Sequence, residues 1–372
     1  MTDSGKMIPR SSFGEAVRVT VFGGSHEPEI GCVIEGLPRG VMEDIDEERL
    51  RAFLGRRAPG RSEFATKRRE PDIPVVTSED PLTIVIKNTD IRPADYKRTA
   101  GIPRPGHADY TAAVKYGGRV NMSGGGPFSG RMTAPLCIAG GIALQLLEKE
   151  GINVCGHISS VGGIDDNVPS EAYTGFSGEG ARTSFDYGAA GAKDFPVFDD
   201  RAGEKMKDEI RKAAADLDSV GGAVEVFITG CPAGAGGPMY DGIESAMAPV
   251  LFGIPAVKGV EFGVGFRAAS MRGSENNDPF IAGEDGVRTK TNNAGGILGG
   301  ITDGMPVVLR VGFKPTPSIA KAQDSVDLGT MKPAKLEIKG RHDPCIAVRA
   351  VPVCEAAAAI TLLDVLRKEG KL

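Results

Sequence analysis

The 372-residue sequence has no tryptophan, only four histidines, no cysteines at C-x-x-C spacing and no apolar run approaching the length of a bilayer span. Each absence narrows the field. The six cysteines (32, 137, 155, 231, 345 and 354) lack the spacing of a zinc site. Several sit in apolar runs such as APLCIAGGIAL, where a small buried hydrophobe is expected. Neither a disulfide framework nor a metal site is expected. The opening residues, MTDSGKMIPRSSFGE, contain no apolar signal core. A reducing cytoplasm is therefore the expected compartment, without a membrane anchor. A net charge of −5 supplies no general attraction for nucleic acid or membrane.

What is present points to a soluble globular protein. Hydrophobic residues make up 41% and charged residues 25%, enough for a sizeable core in a chain of this length. The 52 glycines follow no period, which excludes collagen-like and linker readings and implies tight turns and close backbone approaches. Strands are expected at Glu15–Phe22, Cys32–Gly36, Leu82–Asn88, Ala223–Gly230 and Val307–Phe313. Helices are expected at Asp46–Gly55, Thr133–Glu150, Glu204–Asp218, Ile243–Leu251 and Val353–Lys368. Strands and helices mix throughout with no Ser/Pro-rich divider and no internal repeat, so one α+β unit over 1–372 is expected. The glycine-rich runs PAGAGG (232–237), NNAGGILGG (292–300) and SGGGPFSG (123–130) match neither a dinucleotide fingerprint nor a phosphate loop.

The densest chemistry lies in GIPRPGHADYTAAVKYG (101–117), where His107 sits among turn-forming residues beside an acid, flanked by Arg98, Arg104 and Lys115. Three of the four histidines occupy such Gly- and Pro-rich settings: FGGSHEPEIG, RPGHADY and GRHDPC. Singly, each reads as a loop histidine; together they suggest an acid–base centre. His157, in an apolar strand-like run, reads as structural, and so does His342. Six Arg and Lys residues crowd 55–70. Most such runs are solvated surface. Here Arg56 and Arg57 are expected to follow a helix and precede Pro59-Gly60 in a defined turn, where their forks suit a small polyanion. GFKPTPSIA (312–320) offers a further anion cradle after a strand.

The runs FGGSHEPEIGCVIEGLPRG (22–40), RRAPG and KRREPD (within 56–72), RPGHADYTAAVKYG (104–117), AVKGVEFGVGF (256–266), NNAGGILGGITDG (292–304), KPTPSI (314–319) and GRHDPCIAVRAVPVCEA (340–356) resemble the chorismate synthase family, in order and over nearly the whole length. The resemblance implies a β-α-β sandwich assembled as a homotetramer. It implies conversion of 5-enolpyruvylshikimate-3-phosphate to chorismate by 1,4-anti elimination, with reduced FMN required and no net redox change. By motif match His26 is the implied acid near the departing phosphate. His107 is the implied proton donor to reduced flavin, and Asp343 assists proton transfer at the flavin N5. Ser25, Arg56, Arg57, Arg104, Arg131 and Arg341 are the implied substrate ligands. Arg57, Pro127, Phe128, Ser129, Gly299, Lys314, Pro315, Thr316, Pro317, Ser318 and Arg341 are the implied flavin contacts. With no Trp and aromatics at 6%, flavin ring contacts are expected from aliphatic groups, backbone and an occasional Phe.

Two departures from the family pattern stand out. Where many members carry R-G-G-G-R-S-S-A-R, this chain has Ser123 to Arg131 with Pro127 and Phe128, losing two arginines and a serine. Glu63 replaces a cation in the loop tied to nicotinamide use, with Arg61 two residues earlier. NADPH is therefore expected to act only indirectly, through an external flavin reductase. Two rival readings are a flavin-dependent oxidoreductase using the same pocket, and a non-catalytic flavin or phosphometabolite sensor. The retained His26, His107 and Asp343 argue against the sensor.

Overall fold

The structure, a computed structural model, describes residues 10–60, 63–64, 71–89, 101–177, 181–182, 185–283, 286–338 and 342–372. Strands Arg10–Phe13 (β1), Arg18–Gly23 (β2), Glu29–Glu35 (β3), Val75–Glu79 (β4) and Leu82–Lys87 (β5) form an antiparallel sheet in the order β1-β2-β3-β5-β4. Helix Glu47–Arg57 (α1) sits between β3 and β4, and Asp109–Tyr116 (α2) and Thr133–Lys149 (α3) follow β5. A second antiparallel sheet begins with Asn153–Val161 (β6) and Ile164–Asp165 (β7). Then come Ser170–Thr174 (α4), the small hairpin Phe176–Ser177 (β8) and Ala181–Arg182 (β9), and Asp200–Ala215 (α5). Gly222–Thr229 (β10), Ile243–Phe252 (α6) and Val257–Phe262 (β11) lead to Gly273–Asn276 (α7). Hairpins Phe280–Gly283/Gly286–Thr289 (β12, β13) and Ile297–Leu298/Ile301–Thr302 (β14, β15) precede Val307–Phe313 (β16). Hairpin Gln323–Asp327/Lys332–Leu336 (β17, β18) leads to the last helix, Ala347–Lys368 (α8). The second sheet is ordered β11-β16-β10-β6-β7.

These elements stack as sheet, helices, sheet. α3 packs on β2, β3 and β5, α8 packs on β6 and β10, and the two helices pack on each other. A helix enclosed on all sides should be apolar all round, and 13 of 17 residues of α3 and 18 of 22 of α8 are buried. Close approach requires small residues at the crossing: a Cβ added to Gly140 would lie 2.2 Å from Ala356 Cβ. The inward residues of β10 (Val224, Val226, Ile228) and β16 (Leu309, Val311) join this core, while Phe227 and Val308 face outward into a smaller cluster under Tyr173, Tyr187 and Phe198. α1 is set by its ends: Asp46 accepts from the Glu48 and Arg49 amides, and Arg56 and Arg57 occupy the last turn, opposite the acidic first turn.

The mixed α+β expectation and the sandwich match the architecture. Three readings change. The segment Gly130–Lys149 is 20 residues long with mean hydropathy 1.2, so it passes the length and composition test for a bilayer span that no run was expected to approach. Its apolarity reflects its central place, since 83% of its apolar window is buried in the fold. Arg56 and Arg57 end α1 instead of following it. Strand β11 and helix α2 had no counterpart among the expected elements, and β6 was expected only as the apolar strand-like run around His157. All six cysteines are free thiols, and burial pushes Cys32, Cys137 and Cys155 up to about 12.

Candidate active site

The turn between β2 and β3 carries Ser25 and His26, both buried. Gly23 enters it at φ +105, where a Cβ would meet the Glu29 carbonyl at 2.6 Å, so only glycine fits. Asn88, just after β5, fastens the turn by donating from Nδ2 to the Gly24 and Glu27 carbonyls at 3.1 and 2.7 Å. Its Oδ1 accepts from Arg131 Nε at 3.1 Å, tying the histidine turn to the arginine.

A wall of glycine faces this turn. Gly124, Gly125 and Gly126 all have positive φ. The Ser25 amide donates to the Gly126 carbonyl at 3.2 Å, and Ser25 Oγ to the Ser123 carbonyl at 2.9 Å. A Cβ on Gly124 would lie 2.4 Å from His26 Nε2, and one on Gly125 would lie 3.1 Å from His107 Nε2. Both imidazoles therefore present Nε2 to consecutive residues of one turn. The missing side chains are what admit the rings.

His107 precedes α2 in a loop closed by its own amide bonding to the Arg104 carbonyl at 3.2 Å. Arg104 lies across Asp109, with Nε and one terminal nitrogen each 2.7 Å from a carboxylate oxygen. Asp109 also accepts from His107 Nδ1 at 2.9 Å. Burial alone would raise the Asp109 pKa, but the hydrogen bonds from Arg104 and His107 outweigh it and hold the carboxyl below its ordinary range. The 314–318 segment closes over this loop. Lys314 Nζ donates to the Gly106 carbonyl, and the other Arg104 terminal nitrogen reaches Ser318 Oγ at 3.3 Å. Burial, with Lys258 nearby, lowers the Lys314 pKa.

Deeper, Asp72 is shared by Arg57 and Arg131, all three side chains almost wholly buried. Arg57 Nε also donates to Thr133 Oγ1 at 3.0 Å. Burial, opposed by Asp72 and reinforced by Arg349 and Arg131, lowers the Arg57 pKa. Arg349, in the first turn of α8, donates to the Arg57 carbonyl at 2.8 Å and pairs with Asp343 at 2.6 Å. Thr316 Oγ1 donates to the Asp343 carbonyl at 2.9 Å, which returns the network to the 314–318 segment. Among the described residues, Arg57, Arg131 and Arg349 face Asp72 and Asp343 in a desolvated cluster of arginines suited to an anion.

Of the residues singled out from sequence, His26, Ser25, His107, Arg104, Arg57, Arg131, Asp343 and the Lys314–Ser318 segment come together. Pro127 and Phe128 end the glycine wall, with the Phe128 ring 6.4 Å from that of Tyr116. Ser129 Oγ accepts from the Arg131 amide at 3.3 Å as a cap. Arg56 goes elsewhere: its fork pairs with Glu355 of α8 at 2.6 and 2.9 Å. Gly299 lies in the β14–β15 turn, and β15, a loop and then the seven residues of β16, roughly 20 Å of extended strand, come between it and Lys314. Arg341 and Arg61 fall outside the described residues. Glu63 is exposed and pairs with Arg211 of α5 at 2.7 Å. Asp72, Asn88, Asp109, Thr133 and Arg349 were not assigned roles from sequence. Three of them did lie inside quoted runs, Asp72 closing KRREPD, Asp109 in RPGHADYT and Arg349 in GRHDPCIAVRAVPVCEA.

His157 sits apart, on the outer face of the second sheet, fully buried between Asp166 (3.0 Å from Nδ1) and Glu225 (3.2 Å from Nε2). Beside it a cavity of about 500 Å³ is lined by Glu225, Glu261, Arg310 and Phe266. That space belongs to a different face from the glycine wall and holds neither His26 nor His107.

The family profile described as "Chorismate synthase" matches residues 17–366. A chorismate synthase of Thermococcus gammatolerans is 45% identical over 369 residues, covering 96% of this chain and 98% of its own. That of Korarchaeum cryptofilum is 42% identical over 360 residues, covering 95% and 96%. A solved structure titled "Crystal Structure of Chorismate Synthase" aligns with a TM-score of 0.72 at 24% identity over 96% of this chain and 93% of that one, a likeness of fold.

Proposed function

The chain belongs to the chorismate synthase family, and from that footing we propose how its own residues divide the work. The enzyme is a carbon–oxygen lyase: phosphate leaves 5-enolpyruvylshikimate-3-phosphate by 1,4-anti elimination, giving chorismate with no net redox change. The observation that carries the residue assignment is the pair of imidazoles set against one glycine turn and joined through Asn88 to buried arginines.

Arg57 and Arg131 would hold the substrate's anionic groups, where exclusion of water strengthens each charge-assisted bond. His26 Nε2 would hold the proton that eases phosphate departure. His107 would move a proton at its own Nε2, and Asp343, gripped by Arg349, is the third proton-handling group. The family uses reduced flavin in general, and the donor set here fits FMN. Lys314, Arg104 and the Ser318 hydroxyl suit a phosphate-bearing cofactor, and Pro315, Pro317 and Phe128 offer apolar faces for its ring. When bound, reduced FMN supplies the transient electron density that no side chain can.

Residues 1–372 form one domain in this reading, working in the cytoplasm as a homotetramer. Gly299 precedes β16 and Lys314 follows it, and in the tetramer Gly299 would reach the cofactor from a second copy. Reduced FMN comes from a separate reductase: Glu63 places a carboxylate in the nicotinamide-linked loop, and Arg211 is engaged in neutralising it.

The test is anaerobic incubation of substrate with photoreduced FMN. Stoichiometric phosphate and chorismate, with the flavin still reduced, is the expected result. Flavin oxidation matching turnover would favour an oxidoreductase, and no conversion would overturn the reading. In a parallel arm with NADPH and FMN as sole reductants, sustained chorismate formation would remove the external reductase.

A further inference from the structure

The carboxylate of Asp109 is saturated. One oxygen accepts from Arg104 Nε at 2.7 Å and the Arg104 amide at 3.0 Å. The other accepts from an Arg104 terminal nitrogen at 2.7 Å and from His107 Nδ1 at 2.9 Å. Four contacts fill the roughly four acceptor sites of an ionised carboxylate. An ionised carboxylate cannot donate, so the proton between it and His107 must sit on Nδ1. The same Arg104 nitrogen also lies 3.1 Å from Nδ1, and it could claim a bare Nδ1 instead. That alternative would point an imidazole lone pair at an anion 2.9 Å away, while the arginine charge is already met by the carboxylate.

We propose that Asp109 is a positioning residue for the elimination: it fixes the proton of neutral His107 on Nδ1, so that Nε2 presents its lone pair to the space at Gly125. This rests on the reading of His107 as a proton-handling group. Asp109 touches no reacting atom and acts through the ring. With Nδ1–H fixed, Nε2 takes up a proton from the site and returns it along the same line, and the carboxylate stabilises the doubly protonated ring. Arg104 is the built-in competitor. Without the carboxylate, its cation faces Nδ1 directly, which disfavours the charged ring and favours the opposite tautomer. Exchange of an orienting Asp for Asn with wrong-tautomer loss is known for the serine protease triad, at about 10⁴-fold in kcat.

The experiment is solid-state ¹⁵N NMR of histidine-labelled, flavin-free enzyme across pH. His107 is assigned by its absence in His107→Ala, in a chain with four histidines. Wild type is expected to show a protonated Nδ1 and a bare Nε2 above the titration of the ring. In Asp109→Asn the two exchange, while Asp109→Glu restores the wild-type pattern. A wild-type ring protonated on Nε2, or an unchanged tautomer in Asp109→Asn, overturns the proposal. The wild-type spectrum alone decides it if the Asn variant does not fold. Anaerobic turnover is measured beside it, with kcat of Asp109→Asn expected to fall at least about 10²-fold. A fully active His107→Ala would defeat the reading of His107 and leave the tautomer result standing, so the two failures are distinguishable.

Discussion

At the scale of single residues, burial decides which charges work. Arg57 and Arg56 are neighbours in the last turn of α1, yet Arg57 points into the cluster with Asp72 and Arg131, and Arg56 pairs with Glu355. Arg57→Ala should raise KM for the phosphorylated substrate by roughly 10- to 150-fold, the equivalent of a charge-assisted hydrogen bond of about 1.5–3 kcal/mol. His26→Ala should instead lower kcat by about 10²–10⁴-fold in a protein that still folds. Steady-state kinetics under anaerobic conditions separate the two. Near wild-type constants in both variants would remove the site from this face. The histidines and Arg57 were legible because they sit in Gly/Pro-bounded or basic runs. Asp72 and Arg349 were not, because each joins a near partner to a distant one that only the fold supplies: Arg131 is 59 residues from Asp72, and Arg57 is 292 from Arg349.

At the scale of elements, His157 fastens the loop after β7 to the second sheet. Asp166 accepts from the ring and from the Phe198 and Asp199 amides, and Glu225 of β10 accepts from the ring and from Tyr173. Arg310 and Glu261 complete the charged groups beside it. Burial lowers the His157 pKa, but Asp166 and Glu225 more than reverse this, so it is raised. A raised folded pKa contributes stability that is fully present below the unfolded value of about 6.5 and is lost as pH climbs through the folded value. His157→Gln should cost ~3–5 kcal/mol by leaving two carboxylates without their partner. That cost should shrink as pH rises above neutrality. Urea midpoints of both proteins from pH 5.5 to 9 check it, and a pH-independent difference would contradict the charged-histidine account. The same burial blurred the bounds of β6, legible only as an apolar strand-like run around His157. A strand whose polar residues are enclosed loses the alternation that marks a half-exposed one. α8 starts six residues before its expected Val353, with Pro352 inside it.

At the scale of the whole molecule, two antiparallel sheets enclose a helical layer. The segment Met239–Val287 leaves large apolar side chains outside: Tyr240 and Phe266 are more than 85% exposed. Phe280 and Val287 are also exposed. Exposed apolar surface of this kind marks association surfaces. Light scattering at micromolar concentration should return four times the 38.9 kDa chain mass. A fully active monomer would exclude the homotetramer and, with it, a flavin contact from Gly299 of a second copy.

By itself the sequence determined the family, the α+β class, the core helices with part of the core strands, and the two histidines that face the glycine wall. Those properties are local: a run of glycine and proline, an apolar helix or an ordered set of motifs can be read where it stands. Tertiary structure alone decided the partners. It sent Arg56 to α8, gave Asp72 two arginines and brought Arg349 to the Arg57 carbonyl. Charge pairing in a desolvated site depends on which side chains are brought within about 3 Å, and segments up to 292 residues apart meet there only after the layers have packed.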